Sequence, residues 1–340
     1  RRPWRSGACC RSTRMALCPF SLLWIPFAPS LLRLLLSLPL VGPVLRAVIA
    51  AIFPSLLTAA AAPPAAGCCT PGAWPKLESD DARQLSGDMR ELGGGVHGYV
   101  SAPAKPTGRA VIVVHDIFGI SGGRIRTVCD VLASEGFLTV MPDLFGNGDS
   151  IDNHGGLVNM GSDDCVAWLK SHAWGDLQAK LSAALGFVSA HGVRSANALL
   201  RPPGNDNRVA IVGFCWGAWV AAKASSTGMV KAAVHVHPSW QISSWLFNEP
   251  EVEMASRIRT HTLLMPARDD KDAYRDGTYA RIIERNGGVP VTLVDFPRMR
   301  HGFVVRGLPS DPEVMADVQR AMREMCAFLH KALPPVDDDE

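Results

Sequence analysis

Acid is missing from the first 77 residues, which carry seven arginines and Lys76 but no Asp or Glu. The formal charge of +2 for the whole chain hides this asymmetry. Without those eight basic groups, 26 of the 34 remain against 32 acids, a balance of −6 over residues 78–340. A mildly acidic body with no basic stripe interleaved with aromatics argues against a nucleic-acid partner. Cys-x-x-Cys spacing is also missing, so no structural zinc and no other metal is expected. His235 and His237 would share one strand face, but with no third ligand apparent they read as core or pocket-wall groups. Nine cysteines make no disulfide framework in a chain of 340 residues. The adjacent pairs Cys9-Cys10 and Cys68-Cys69 bridge poorly with each other, and Cys129, Cys165 and Cys326 fall in helix-like segments as packing residues. Gly122-Gly123 is too little for a phosphate loop, no internal repeat is visible, and no cofactor is expected.

The first 66 residues differ in composition from the rest. Residues 1–14 are basic, residues 16–62 are largely apolar but broken by Arg33, Arg46 and several prolines, and residues 59–66 read as a flexible join. One reading is a targeting peptide or membrane anchor, which would confine membrane contact to residues 1–66. The rest of the chain is expected to be cytoplasmic, or organelle-targeted or membrane-anchored if residues 1–66 are native. The other reading is upstream translated sequence, with Met15 as the start. The prolines interrupt any spanning helix. Residues 67–333 are expected to form one α/β domain, and residues 334–340 an acidic tail.

What is present is a nucleophile motif. Gly213-Phe214-Cys215-Trp216-Gly217 follows the apolar run Val209-Ala210-Ile211-Val212 and precedes the helix-like Ala218-Trp219-Val220-Ala221-Ala222-Lys223. Strand, tight Gly-x-nucleophile-x-Gly turn and helix make the elbow of an α/β-hydrolase, with cysteine where serine is usual. A side chain at either glycine would crowd the adjoining strand and helix. The Trp216 N–H, at the helix start, is left to stabilise an oxyanion. Free cysteine is often only a small buried hydrophobe, so the motif needs partners. An acid and then a histidine follow in the required order. His261-Thr262-Leu263-Leu264-Met265-Pro266 reads as a buried strand that runs into the acidic turn Asp269-Asp270-Lys271-Asp272. That turn lies at the strand's C-terminal end, where open α/β sheets place functional groups. A β-rich stretch over residues 289–296 precedes His301, which falls in a loop before the last helix. His301 would deprotonate the Cys215 thiol, and a carboxylate would hold the imidazole in one tautomer. Asp270 is the expected carboxylate and Asp269 the fallback. Asp272 reads as a solvated turn residue or a helix cap.

The remaining pattern predicts a mostly parallel, doubly wound sheet flanked by helices. Strands are expected at 110–114 and 137–141, and helices at 124–135 and 312–332. A core-facing stripe of Leu177, Leu181, Ala184, Leu185 and Val188 marks a further helix. Residues 146–162, rich in Gly, Asn and Asp, read as a loop near the pocket mouth.

Four separated blocks resemble the dienelactone hydrolase family. Val113-Val114-His115-Asp116-Ile117-Phe118-Gly119 is similar to its first strand and oxyanion loop, and Val212 to Ala218 to its elbow. Val236-His237-Pro238-Ser239 resembles a stretch of its eukaryotic branch, and Arg300-His301-Gly302-Phe303 its histidine loop. Cys68-Cys69-Thr70-Pro71 looks like the opening of eukaryotic members. The resemblance implies an α/β-hydrolase fold and a Cys215–Asp270–His301 triad. It also implies an oxyanion hole from the Ile117 and Trp216 N–H groups. Asp116 stands where bacterial members carry a glutamate that pairs with the resting cysteine; the alternative is a solvated loop acid. Asn147 stands where those members carry a substrate arginine. Arg306 lies near, but not at, a second substrate arginine. The activity implied is cleavage of a small-molecule ester or lactone through a thioester. Two alternatives remain open: a β-glucan hydrolase, because some plant relatives are described as glucanases, and a non-catalytic binding protein on the same fold.

Overall fold

The computed structural model describes residues 67–70, 72–77, 84–195 and 207–335. The extension over residues 1–66, Pro71 and residues 336–340 of the expected acidic tail lie outside the described residues. Compactness divides the chain between Pro63 and Pro64, and the elements below all belong to the second unit.

The chain enters through a hairpin, β1 (Asp88–Gly93) and β2 (Val96–Ser101), then alternates strand and helix. β3 (Ala110–Val114), α1 (Ile125–Ser134) and β4 (Leu138–Pro142) come first. α2 (Asp163–Ser171) and α3 (Trp174–Ala190) lead to β5 (Val209–Phe214), α4 (Trp216–Ser225) and β6 (Ala232–Val236). α5 (Gln241–Phe247) and α6 (Glu251–Ser256) precede β7 (His261–Met265), and α7 (Asp272–Arg275) and α8 (Thr278–Gly287) precede β8 (Val291–Leu293). α9 (Phe303–Arg306) and α10 (Pro312–Ala332) close the domain.

These eight strands form one sheet in the order β1-β2-β4-β3-β5-β6-β7-β8. The pairs β1–β2 and β2–β4 are antiparallel and the rest are parallel. Every residue of β3, β5 and β6 is buried, as continuous apolar runs in a sheet covered on both faces require. The core accordingly splits in two. The α1 residues Ile125, Val128 and Leu132 and the α10 residues Val318, Ala321 and Leu329 pack in one cluster. The whole predicted stripe of α3 packs in the other, with Trp219 and Val220 of α4.

Differences from expectation are local. β4 is displaced by one residue from 137–141. Of residues 289–296 only Val291–Leu293 make a strand, with one further bridge between Ala267 and Phe296. The expected loop over residues 146–162 contains two 3₁₀ turns, Ile151–His154 and Leu157–Asn159. The hairpin β1–β2 was not anticipated: β1 is exposed except for Leu92, so it carries almost no apolar alternation. His235 and His237 do not share a strand face. β6 ends at Val236, and His237 adopts a left-handed φ of 36° beyond it. His235 stacks edge-on against Trp240 on one side of the sheet, while His237 contacts Phe214 and Phe303 on the other.

Candidate active site

β5 runs straight into the elbow, and Cys215 takes a strained backbone with φ 54° and ψ −115° before α4 begins at Trp216. Its N–H donates to Val236 O at 3.1 Å, which locks the turn to β6. The glycines are steric necessities. A Cβ on Gly213 would stand 2.2 Å from Gly217 O, and one on Gly217 would stand 2.5 Å from both Val114 O and His115 O. This close approach seats the start of α4 against the end of β3, where Ile117 follows. As the first residue of α4, Trp216 has no helical acceptor four residues back for its N–H. In the turn after β3, Phe118 N donates to Asp116 Oδ1 at 2.9 Å and Gly119 N to Asp116 O at 3.1 Å.

The acid and the histidine meet as the chain order suggests. His301 Nδ1 and Asp270 Oδ1 are 2.6 Å apart, and Asp270 Oδ2 accepts from Ala267 N at 2.7 Å. Asp269 has other work: its Oδ1 accepts the His301 backbone N–H at 2.6 Å and its Oδ2 accepts from Thr70 Oγ1 at 2.6 Å. Asp272 opens α7 and caps nothing; Lys271 holds the N-cap position.

Burial alone would depress the His301 pKa, but the Cys215 sulfur and the Asp270 carboxylate outweigh it and hold the imidazole well above its ordinary range. Burial acts on the Cys215 thiol in the opposite sense. The Cys68 thiol and the charge of His301 bring its pKa below the usual value. Burial raises Asp270, against His301. His301 Nε2 is buried without a hydrogen-bond partner. His237 packs edge-on against this ring at 5.1 Å, and burial holds its own pKa far down, so it stays neutral.

Asp116 is not a solvated loop acid. It is 2% exposed and pairs with Arg306, Oδ2 to Nε 3.1 Å. Burial pushes its pKa up to about 6 even though Arg306 draws it down. Arg306 is as buried as its partner, lies over the Phe118 ring at 4.9 Å, and is not on the cavity wall. Gly302, at φ 88°, makes room for it: a Cβ there would stand 2.2 Å from Arg306 Nη2. Asn147 also takes a left-handed φ, 54°, and is not among the cavity residues.

The 67–77 segment was not expected at this site. Its described residues, 67–70 and 72–77, cross the nucleophile without forming a helix or strand. Cys69 Sγ lies 3.5 Å from Cys215 Sγ, and Cys68 Sγ lies 3.8 Å from Cys69 Sγ. Ser239 Oγ and Gln241 Nε2 donate to Cys68 O, Arg300 donates to Gly72 O and Ala73 O, and Trp74 N donates to His301 O at 2.9 Å. The three sulfurs lie within 4.8 Å of one another and are the one group among the described residues that could hold a metal ion. The only sequence signal was the Cys-Cys-Thr-Pro block, which is far from the elbow in the chain. Beside the segment opens a cavity of about 750 Å³, lined by residues that include Cys69, Thr70, Met160, Gln241, Asp269 and Asp270. Part of its wall, Leu157, Val158, Met160 and Gly161, comes from the loop assigned to the pocket mouth.

Comparison with known proteins identifies the family. The dienelactone hydrolase family model matches residues 96–333. A mouse carboxymethylenebutenolidase homolog is 25% identical over 240 residues, covering 69% of this chain and 87% of its own. A maize endo-1,3;1,4-beta-D-glucanase is 29% identical over 167 residues, 48% of this chain and 47% of its own. Among solved structures, a Klebsiella pneumoniae protein titled "Putative Dienelactone Hydrolase" superposes with a TM-score of 0.52 at 21% identity, over 72% of this chain and 99% of its own. At that identity the likeness speaks for the fold. The family model spans most of the domain that carries the elbow, the acid and the histidine: the chain belongs to the dienelactone hydrolase family and is a hydrolase that acts on ester bonds.

Proposed function

We propose that the chain cleaves a small ester or lactone through a thioester on Cys215, with His301 as acid and base and Asp270 as its orienting carboxylate. The observation that carries this reading is the 2.6 Å contact between His301 Nδ1 and Asp270, which leaves the buried Nε2 without a partner at the nucleophile. His301 takes the proton of the Cys215 thiol. The thiolate attacks the carbonyl carbon, and the carbonyl electron pair moves onto oxygen. The N–H groups of Ile117 and Trp216 receive that oxyanion. His301 gives its proton to the departing alkoxide, which in a lactone stays tethered to the acyl group. A water molecule, deprotonated by His301, then attacks the thioester and expels the thiolate.

Charge on the cavity wall narrows the substrate. Lys271, the basic residue there among the described residues, is paired with Glu251 at 2.5 Å. Arg306 is occupied by Asp116, and Asn147 replaces an arginine. An uncharged small ester or lactone fits this wall better than one carrying a free carboxylate. Glycan cleavage fits poorly, because it needs two free carboxylates at a set spacing. Asp269 and Asp270 are both tied to His301.

The test is a panel of short-chain aryl esters and neutral and acidic lactones, run on the wild type and C215A. Loss of hydrolysis in C215A and trapping of a thioester by hydroxylamine are expected. Full activity in C215A sinks the reading. Reducing sugar released from a β-glucan, and abolished in C215A, restores the glucanase alternative. A folded wild type inert to the whole panel but stabilised by a member of it points to a binding protein.

A further inference from the structure

Three thiols meet at the nucleophile, and ester hydrolysis uses one. Cys69 lines the cavity, so a small solute reaches its sulfur first, whereas Cys215 beneath it is fully buried. Arg306 Nη2 stands 3.9 Å from Cys69 Sγ. Hydrogen bonds from the Cys215 and Cys68 thiols, with the charge of Arg306, hold the Cys69 pKa well below the usual thiol value against the effect of burial. A thiolate beside cations, reachable from solvent and next to a second thiol, is in the setting of an oxidation-sensitive cysteine. The same cations oppose a metal cation among the sulfurs.

We propose that Cys69 is a site of oxidation by hydroperoxides and that Cys215 resolves the product as a Cys69–Cys215 disulfide. In the first step the Cys69 thiolate attacks a peroxide oxygen. The S–O bond forms, the O–O bond breaks, and the leaving hydroxide or alkoxide takes a proton. In the second step the Cys215 thiolate attacks the sulfenic sulfur. The S–S bond forms, the S–O bond breaks, and hydroxide leaves as water after protonation. With hydrogen peroxide the balance is two thiols oxidised by two electrons and one peroxide reduced to two waters. The sulfurs are 3.5 Å apart and need to close by roughly 1.5 Å to bond. Cys69 can supply that motion, because its segment belongs to no helix or strand. Cys68 competes poorly for Cys69, since adjacent cysteines bridge with strain. The disulfide withdraws the nucleophile reversibly. Only this loss of activity rests on the role proposed for Cys215; the bond itself is read by mass.

The full chain is treated with hydrogen peroxide near stoichiometry, alkylated and digested with trypsin. In a C68S variant the tryptic peptide 47–76 carries Cys69 as its one thiol, and the peptide 209–223 carries Cys215 as its own. The expected product links these two peptides. In the wild type, esterase activity falls in step with the link and returns with dithiothreitol, and in C69S the recoverable fraction disappears. Sulfinic or sulfonic acid at Cys215 with no link, or a Cys68–Cys69 bridge as the sole product in wild type, overturns the proposal. The link in a protein without esterase activity leaves the proposal standing and removes the proposed function. A complete link with full activity excludes Cys215 as the nucleophile.

Discussion

Below Cys215 the site is made by backbone, and above it by side chains. The Cys215 N–H sits on Val236 O, and Gly217 approaches the β3 carbonyls so closely that no other residue fits. Around this point β3, β5 and β6 are buried along their whole length. The 67–77 segment instead hangs from Thr70 on Asp269, Ser239 and Gln241 on Cys68 O, and Arg300 on Gly72 and Ala73. Each such bond contributes about 0.5–1.5 kcal/mol. The sheet fixes where the sulfur points, while a handful of replaceable contacts governs what covers it.

Activity is the harshest test of that contrast. C215A should lose about 10⁴-fold or more in kcat, whereas R300A, which loosens the cover alone, should stay within tenfold; steady-state kinetics on one ester decide it. Comparable losses in the two variants would erase the distinction. The next effect separates two neighbours in one turn. D270N should cost about 10²–10⁴-fold in kcat. D269N, which weakens the contacts to Thr70 and the His301 backbone, should cost less than D270N.

Stability comes next. G217A places a methyl 2.5 Å from two carbonyl oxygens and should cost about 1–3 kcal/mol or more in urea unfolding. R300A should cost about 1 kcal/mol yet speed alkylation of Cys215 several-fold, because it uncovers the thiol. Equal alkylation rates in R300A and wild type would mean that the segment does not shield the sulfur.

The smallest expected effect is in pH. The Cys215 pKa is lowered and the His301 pKa raised, which favours passing the thiol proton to the imidazole. An ordinary thiol alkylates roughly tenfold more slowly at pH 7.5 than at pH 9. Cys215 in R300A should change by less than an ordinary thiol does, because its pKa is lowered. The two shifts act on stability with opposite signs. The thiol's contribution is present above its unfolded pKa and is lost as pH falls through the lowered folded value. The imidazole's contribution is present below its unfolded pKa and is lost as pH rises through the raised folded value.

Sequence reading reached the lower half of the site and missed the upper half, for the same physical reason. Val209 to Phe214 is an uninterrupted apolar run closed by paired glycines, and such a pattern has few solutions. The final helix, 312–332, was legible in full because Asp311 caps it ahead of Pro312. Asp270 was expected but Asp269 stayed as the fallback, because adjacent residues in a turn point different ways and only coordinates tell which meets the imidazole. Cys68 and Cys69 lie 147 and 146 residues from Cys215, and a segment without periodicity carries no sign of where it lands. Arg306 was a candidate substrate contact only through its nearness to a substrate arginine of the family it resembles. Its burial against Asp116 depends on a fold that brings α9 under the loop after β3.

Gly302 sets a rule for anyone exchanging histidine loops between such enzymes. A donor loop with any larger residue at that place would push the Arg306 guanidinium out of its slot and strip Asp116 of its counter-charge. A graft should therefore be chosen for the residue that follows its histidine as carefully as for the histidine itself.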